Sequence, residues 1–439
     1  MFFKFSQFDR NTLRIALPLI ISNITIPLVG LVDNIMMGHL GSTIFIGAIG
    51  LGSIIISYIL FSFGFIKSIT TGLVSQNAGS RDYQNLFLTI CHILLISSFI
   101  SLTILYFRFY IIDFSLGLMN SSIEVKQNSK IYLEYRIWSI PAIFLRDILI
   151  GYYIGTQRTK IAMSISIIVN LLNIILDYYF IYILNFSIEG VAIASLISEY
   201  SIIFFILYAL MFEKTYKNIN LDYKNILNWK SIKNKIIINI DMFIRSFILM
   251  TCFAYFMRTG ASYGNIILAA NTILLNFFFI FSHGVDGFAH ASEVLVGDSM
   301  GKKNKELLHE SISSTGKFSI YLTILFIIFF SLFGVPLLNV ITDVGAILLS
   351  AQKYLIWLYL IFFSACIAFW LDGVFIGAMK TKLLRNVMIL SGSVFFILEI
   401  FIFEHNNHNL WAAFLVFFTL RSMLLGYLLS FNLKRNRFI

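Results

Sequence analysis

GYYIGTQRTK, residues 151–160, returns as GVFIGAMKTK at residues 373–382. The shift of 222 positions also carries Tyr132-Leu133 onto Tyr354-Leu355, Gly79 onto Gly301 and Asp177 onto Glu399. One shift serving separate stretches marks a doubled half. Each copy holds Gly-x-x-x-Gly (Gly151/Gly155 and Gly373/Gly377). That spacing lets helix backbones approach closely in lipid, so packing is the expected role of these glycines.

Composition sets the medium. Of 439 residues, 59% are hydrophobic and 12% charged. Water could not hide that much apolar side chain, so the bilayer is the expected solvent for most of the chain. The net charge of +10 would suggest nucleic acid in a soluble protein. Here the cations sit in short loops and form no basic stripe with stacking aromatics, so no nucleic-acid partner is expected. Cys91, Cys252 and Cys366 lie inside apolar runs and read as small buried hydrophobes without a disulfide. HExxH, Walker A and CxxC patterns are lacking, and the loops are too short for a nucleotide domain. Neither an enzyme nor a cofactor is expected.

A helix needs about 20 apolar residues to cross the hydrocarbon. Runs of that length lie near 11–37, 44–75, 86–108, 131–156, 161–184, 188–212, 236–257, 265–298, 309–333, 350–378, 384–403 and 409–433. The first follows Lys4, Arg10 and Arg14 and is too long for a signal-peptide core, so it is expected to remain as a membrane helix. Basic residues gather in alternate loops: Lys4 and Arg10, Arg81, Arg158 and Lys160, Lys214 to Lys235, Lys302 to Lys305, Lys380 to Arg385, and Lys434 to Arg437. The other loops hold scattered cations such as Lys126 and Arg258. The positive-inside rule places the first set, and both termini, in the cytoplasm. The expected fold is an all-α polytopic membrane protein of twelve transmembrane helices. They form two pseudo-symmetric six-helix lobes, 1–212 and 236–439, around a central cleft, with a cytoplasmic linker at 213–235. An even number of spans per half makes this a parallel repeat, suited to alternating access.

Polar side chains inside the runs are the candidate site. At 1.5 Å per residue, Asp33 on span one, Tyr132 on span four, Asn173 and Asp177 on span five, and Ser195 on span six all fall in the outer half of the first lobe. Asn173 and Asp177, four apart, share a helix face. A carboxylate within a membrane helix costs about 2.5–3.5 kcal/mol on insertion scales. Two acids close together would favour uptake of a proton, or of Na⁺ with Asn, Ser and Tyr oxygens completing its shell. The plainer alternative puts Asp33 among the headgroups near its helix end. Pro18 and Pro27 remove backbone hydrogen bonds from span one and would bend it, giving a helix with two nearby shapes.

The second lobe carries its own stripe. His283, Asp286, His290 and Glu293 follow helical spacing on span eight, Arg245 lies on span seven, and Asp372 lies on span ten. Arg245 is expected to pair with Asp286 or Glu293. A structural ion-pair network is favoured for this group over a substrate or gating site.

The stretches ALPLIISNITIPLVGLVDNIMMGHLG (16–41) and GFIKSITTGLVSQNAGSRD (64–82) resemble the multidrug and toxic compound extrusion (MATE) transporters, in particular their DNA-damage-inducible protein F (DinF) branch. NLLNIILDYYFI and WLDGVFIGAMKT extend the resemblance over nearly the whole chain. The resemblance implies export of amphipathic or cationic organic compounds, multidrug efflux, driven by H⁺ or Na⁺. It implies a first-lobe cation site on Asp33, Asn173 and Asp177, with Tyr132 and Ser195 beside it and Pro18 bending the first helix. Where relatives carry threonine, Ser195 keeps the oxygen and loses a methyl. Span seven offers Asp241 and Arg245 rather than the acid of the sodium-coupled branch, which favours protons. A multi-pass monomer in a bacterial inner membrane is expected, its partners the lipid bilayer and small organic substrates. Two rivals stay open. A lipid or lipid-linked-sugar flippase would need a basic cleft, for which the sequence offers only isolated candidates such as Lys67, Arg146 and Arg245. A structural membrane protein would need none of the acids.

Overall fold

The computed structural model describes residues 6–38, 43–119, 121–212, 223–402, 404–435 and 438; among these, the side chains of 26–31, 33–38, 43, 46, 212, 223 and 224 are not described. The described residues are almost entirely helical and contain no strand. The helices are α1 (Gln7–Gly38), α2 (Thr43–Phe63), α3 (Phe65–Gly79), α4 (Tyr83–Tyr106), α5 (Arg108–Gly117), α6 (Ile123–Arg136), α7 (Ile140–Gly155), α8 (Thr159–Tyr178) and α9 (Ile188–Tyr200). They continue with α10 (Ile202–Phe212), α11 (Tyr223–Ile226), α12 (Trp229–Ser262), α13 (Asn265–Gly301), α14 (Lys305–Ile341), α15 (Gly345–Gly377), α16 (Thr381–Ile397) and α17 (Asn407–Lys434). Eleven helical segments among the described residues are long and apolar enough to cross a bilayer. The first helix, α1, spans 32 residues and occupies the place of the first expected crossing. The twelve-helix reading therefore stands.

Several expected spans are broken or lengthened for local reasons. Span two is two helices, α2 and α3, meeting at Gly64. Span four is α6 and α7 joined by a 3₁₀ turn, Ile137–Ser139. Pro141 enters in the first turn of α7, where its missing N–H costs nothing. At 37 residues, α13 and α14 are about 55 Å long, well beyond the hydrocarbon thickness. Of the expected linker, residues 213–222 lie outside the described residues. Its remainder is α11 and the start of α12, with the ring Nε2 of His92 2.9 Å from the carbonyl of Ile226.

The duplication is written into the backbone. α3 and α13 end in the same hydrogen-bonded turn: Asp82 N–H donates to the Asn77 carbonyl and Asn304 N–H to the Ser299 carbonyl. Arg81 (φ 58°) and Lys303 (φ 53°) occupy the left-handed position of those turns. α7 and α15 end alike, with Gln157 (φ 61°) and Met379 (φ 54°). Asp82 and Asn304 then cap the next helices, accepting from Asn85 N–H and Leu307 N–H, each at 3.0 Å. Every one of these pairs is separated by the same 222 positions.

The glycines pack as expected, and in register. A Cβ on Gly151 would lie 2.7 Å from the Lys67 carbonyl oxygen, and one on Gly373 would lie 2.2 Å from that of Ala289. Gly155 meets the Thr71 carbonyl and Gly377 that of Glu293, at 2.8 and 2.6 Å. So α7 lies against α3, and α15 against α13, through equivalent atoms.

The chain forms two compact units, Met1–Asn23 with Ile240–Ile439, and Ile24–Asn239. In the first, α12 to α17 together build an aromatic core that includes Phe256, Phe278, Phe281, Phe362, Phe395 and Phe414. Phe281 stacks on Phe362 with centroids 4.2 Å apart. The inner part of α1 belongs to this unit because Gly287 of α13 lets it approach: a Cβ there would fall 2.3 Å from Ile20. Asn23 Nδ2 donates to the His283 carbonyl at 3.3 Å, and the Thr12 and Ser314 hydroxyls lie 2.9 Å apart. In the second unit, α3 packs on α7, α2 on α6, and α9 on both α6 and α8.

Candidate functional site

Asp177 ends the apolar run of α8, and its side chain has no exposed surface. Directly after α8 the helix widens into a π turn, Tyr179–Ile183, an irregularity frequent at functional positions. One turn earlier on the same face, Asn173 is buried and its Nδ2 donates to the Ser195 hydroxyl of α9 at 3.3 Å. The structure thus joins Asn173 and Ser195 directly. Tyr132 is buried on α6, which also packs against α9. Its hydroxyl lies 3.5 Å from that of Ser53. Gly52 makes room for the ring, since a Cβ there would fall 2.5 Å from a Tyr132 ring carbon. Further down α8, Asn170 Nδ2 donates to the Thr25 hydroxyl of α1 at 2.8 Å. Asp33 lies on α1, but its side chain is outside the described residues, as is that of Pro27. Pro18 is buried, and α1 is helical on both sides of it.

The second-lobe residues form pairs, though not all the expected ones. Arg245 donates to Asp372, where Asp286 or Glu293 was expected as its acid. The reason is placement: α15 brings Asp372 to face α12, while Glu293 is within 3.1 Å of its own helix neighbour His290. Asp286 is half-buried on α13. Arg421 of α17, absent from the sequence reading, completes the Asp372 site by donating to its Oδ2 at 2.7 Å. Its guanidinium lies 5.3–5.9 Å from the ring centroids of Phe417, Phe418 and Phe369, within cation–π reach. Asp241 instead binds Arg385 at 2.6 Å and the Thr381 hydroxyl at 3.2 Å.

The first lobe holds a counterpart that the sequence reading also missed. Arg146 Nη1 of α7 donates to both carboxylate oxygens of Glu199 on α9, each at 2.6 Å. Glu199 and Arg421 stand 222 positions apart. Both halves thus carry an ion pair between equivalent helices, with reversed polarity and with the α7 and α15 partners four positions out of register, since Arg146 corresponds to Ala368. Glu199 and Arg421 were both detectable as charges deep inside the apolar runs 188–212 and 409–433. Arg146 and Arg245, isolated bases in the sequence, are thus both engaged by acids.

The MatE family model matches this chain twice, over residues 18–179 and 242–402. This chain belongs to the MatE family. The two matches fall on the two copies of the repeat. The MatE chain is 30% identical over 420 residues to DNA damage-inducible protein F of Escherichia coli (strain K12), covering 95% of this chain and 91% of that protein. It is 24% identical over 311 residues to multidrug resistance protein NorM of Vibrio parahaemolyticus, covering 69% of this chain and 67% of that protein. In fold it matches the outward-facing conformation of a multidrug resistance MATE family transporter of the MOP superfamily. That TM-score is 0.88 at 19% identity, with 98% of this chain and 97% of that one covered. A multi-pass membrane transporter of the MATE type, with the DinF-like character seen in its motifs, accounts for all three likenesses.

Proposed function

We propose that this MatE chain is an antiporter that exports amphipathic or cationic organic compounds by alternating access, with protons as the coupling ion. The observation that carries the reading is Asp177, a carboxyl group removed from solvent on a membrane helix, one turn beyond the Asn173–Ser195 hydrogen bond. An acid kept there at a cost of about 2.5–3.5 kcal/mol is best explained by a task that neutralises it cyclically. The register of α1 supports Asp33 as its partner. From the Thr25–Asn170 contact, position 33 lies eight residues along α1 and position 177 seven residues along α8. Both helices run outward in the positive-inside topology, so both acids rise by about 10–12 Å from that contact.

In this proposal protonation of Asp177 and Asp33 reshapes the first-lobe site, and α1 bends about Pro18. The halves 1–212 and 236–439, joined by 213–235, open alternately to the two sides of a bacterial inner membrane, both termini cytoplasmic. Tyr132 and Ser195 supply hydroxyls. The membrane potential adds about 2.3 kcal/mol per charge per 100 mV. The protein acts as a monomer, and Na⁺ held by Asp33, Asn173 and Asp177 is the competing coupling ion.

The test uses inverted membrane vesicles, with proton and sodium gradients imposed separately. Wild-type protein is expected to give substrate-induced proton movement under the proton gradient alone. Asp177→Asn should lower it at least tenfold while leaving the unfolding midpoint close to that of the wild type. Coupled transport unaltered in Asp177→Asn would overturn the assignment, and transport driven by sodium alone would overturn the choice of ion.

A further inference from the structure

We propose that the inner ends of α1 and α14 form a binding site for the phosphate headgroup of an acidic phospholipid of the cytoplasmic leaflet. The proposal rests on the positive-inside topology and not on the antiport reading. A cavity of about 1060 Å³ lies between the two helix ends. From α1 it is lined by Arg10 and Arg14, one turn apart on one face, and from α14 by His309, Ser313 and Lys317 at four-residue spacing.

Charge in the cavity is not self-cancelled. Asp9 is committed: its carboxylate accepts from Lys317 Nζ at 2.6 Å, from the Ser314 hydroxyl at 2.9 Å and from Ser6 N–H at 3.2 Å. Glu310 is the other acid on the wall. Among the described residues, neither the Arg10 nor the Arg14 side chain has a hydrogen-bond or ion-pair partner, and both are exposed. At the start of α1 the Ser6 and Asp9 amides are already engaged by each other's side chains, and the side chains of Arg10 and Arg14 supply the main attraction for an anion. Two guanidiniums offer planar forks suited to phosphate oxygens, and Ser313 and Asn11 add neutral polar groups.

Two apolar stripes select a lipid over a free phosphate. Above Arg10 and Arg14, the same face of α1 presents Leu17 (50% exposed) and Ile21 (51%). Above Ser313 and Lys317, α14 presents Tyr321, Ile324 and Ile328, all exposed. A basic pocket at the interface with an exposed apolar track rising from each wall fits a headgroup with its acyl chains.

Native mass spectrometry of the purified full-length protein tests this with phosphatidylglycerol, phosphatidylcholine and inorganic phosphate as probes. Arg10→Gln/Arg14→Gln is expected to retain about tenfold less phosphatidylglycerol, with phosphatidylcholine unchanged and inorganic phosphate unable to displace the lipid. Lys380→Gln/Lys382→Gln, which removes two cations from another loop, should bind like the wild type. Ser313→Glu keeps both arginines and should also lose phosphatidylglycerol, which guards against a folding defect in the double variant. Unchanged retention in Arg10→Gln/Arg14→Gln or in Ser313→Glu, or equal loss in the control, would overturn the site. Displacement by inorganic phosphate would overturn the lipid assignment. The readout involves no transport, so its failure is separate from failure of the antiport reading.

Discussion

At Asp372 one carboxylate serves two guanidiniums, those of Arg245 and Arg421. Arg421 is 1% exposed, so this cluster holds an excess positive charge out of water. Removing the acid would leave two like charges facing each other. Breaking a buried pair by deleting one partner costs about 3–5 kcal/mol, whereas replacing a charge by an apolar side chain of similar size is often close to neutral. Asp372→Asn is therefore expected to lower the unfolding midpoint in detergent sharply. Arg421→Met, which leaves the Arg245–Asp372 pair intact, should lower it by far less. Equal loss in the two variants would show that Arg421 stabilises in its own right.

Between helices, the repeated Gly-x-x-x-Gly contacts set how near α7 lies to α3 and α15 to α13. Lipid provides no hydrophobic drive for helices to associate, so close van der Waals contact must supply much of it. Gly373→Ala would press its methyl 2.2 Å from the backbone oxygen of Ala289, which cannot swing away as a side chain can. Overpacking of this kind costs about 1–3 kcal/mol, and a lowered unfolding midpoint is the expected outcome. Gly151→Ala, at 2.7 Å from the Lys67 oxygen, should shift it in the same direction by less. Among the described residues, Gly426 on α17 has no neighbour within 4 Å of its missing Cβ, so Gly426→Ala should be neutral or slightly stabilising.

For the whole chain, the inner end of α1 is fastened to the C-terminal unit by Asp9. Burial by itself raises the Asp9 carboxyl, but hydrogen bonds from Lys317, Ser314 and the Ser6 backbone outweigh it and hold its pKa below the ordinary 3.8. A carboxylate whose pKa is lowered by folding stabilises the native state at pH values above its unfolded pKa. That contribution disappears as pH falls through the folded value. The difference in unfolding midpoint between the wild type and Asp9→Asn is thus expected to be present near neutral pH. It should shrink toward zero as pH drops below 3.8. A difference that persists in acid would assign the effect of Asp9 to packing.

Much of the architecture was legible before any coordinates. The helix count follows from apolar run length against a fixed hydrocarbon thickness, and the doubling follows from one offset shared by distant stretches. The common face of Asn173 and Asp177 follows from helical geometry, and its burial and the Asn173–Ser195 contact then came from the fold. Partner choice did not follow. Arg245 had Asp286 and Glu293 as its expected acids, yet the fold gives it Asp372 of α15. Spacing along one chain gives depth and face within a helix, whereas side-chain pairing across helices depends on their mutual rotation. For the same reason Glu199 and Arg421, plain as charges inside apolar runs, acquired partners only in three dimensions. The division of α1 between the two units likewise depends on a close approach at Gly287 that no local pattern encodes.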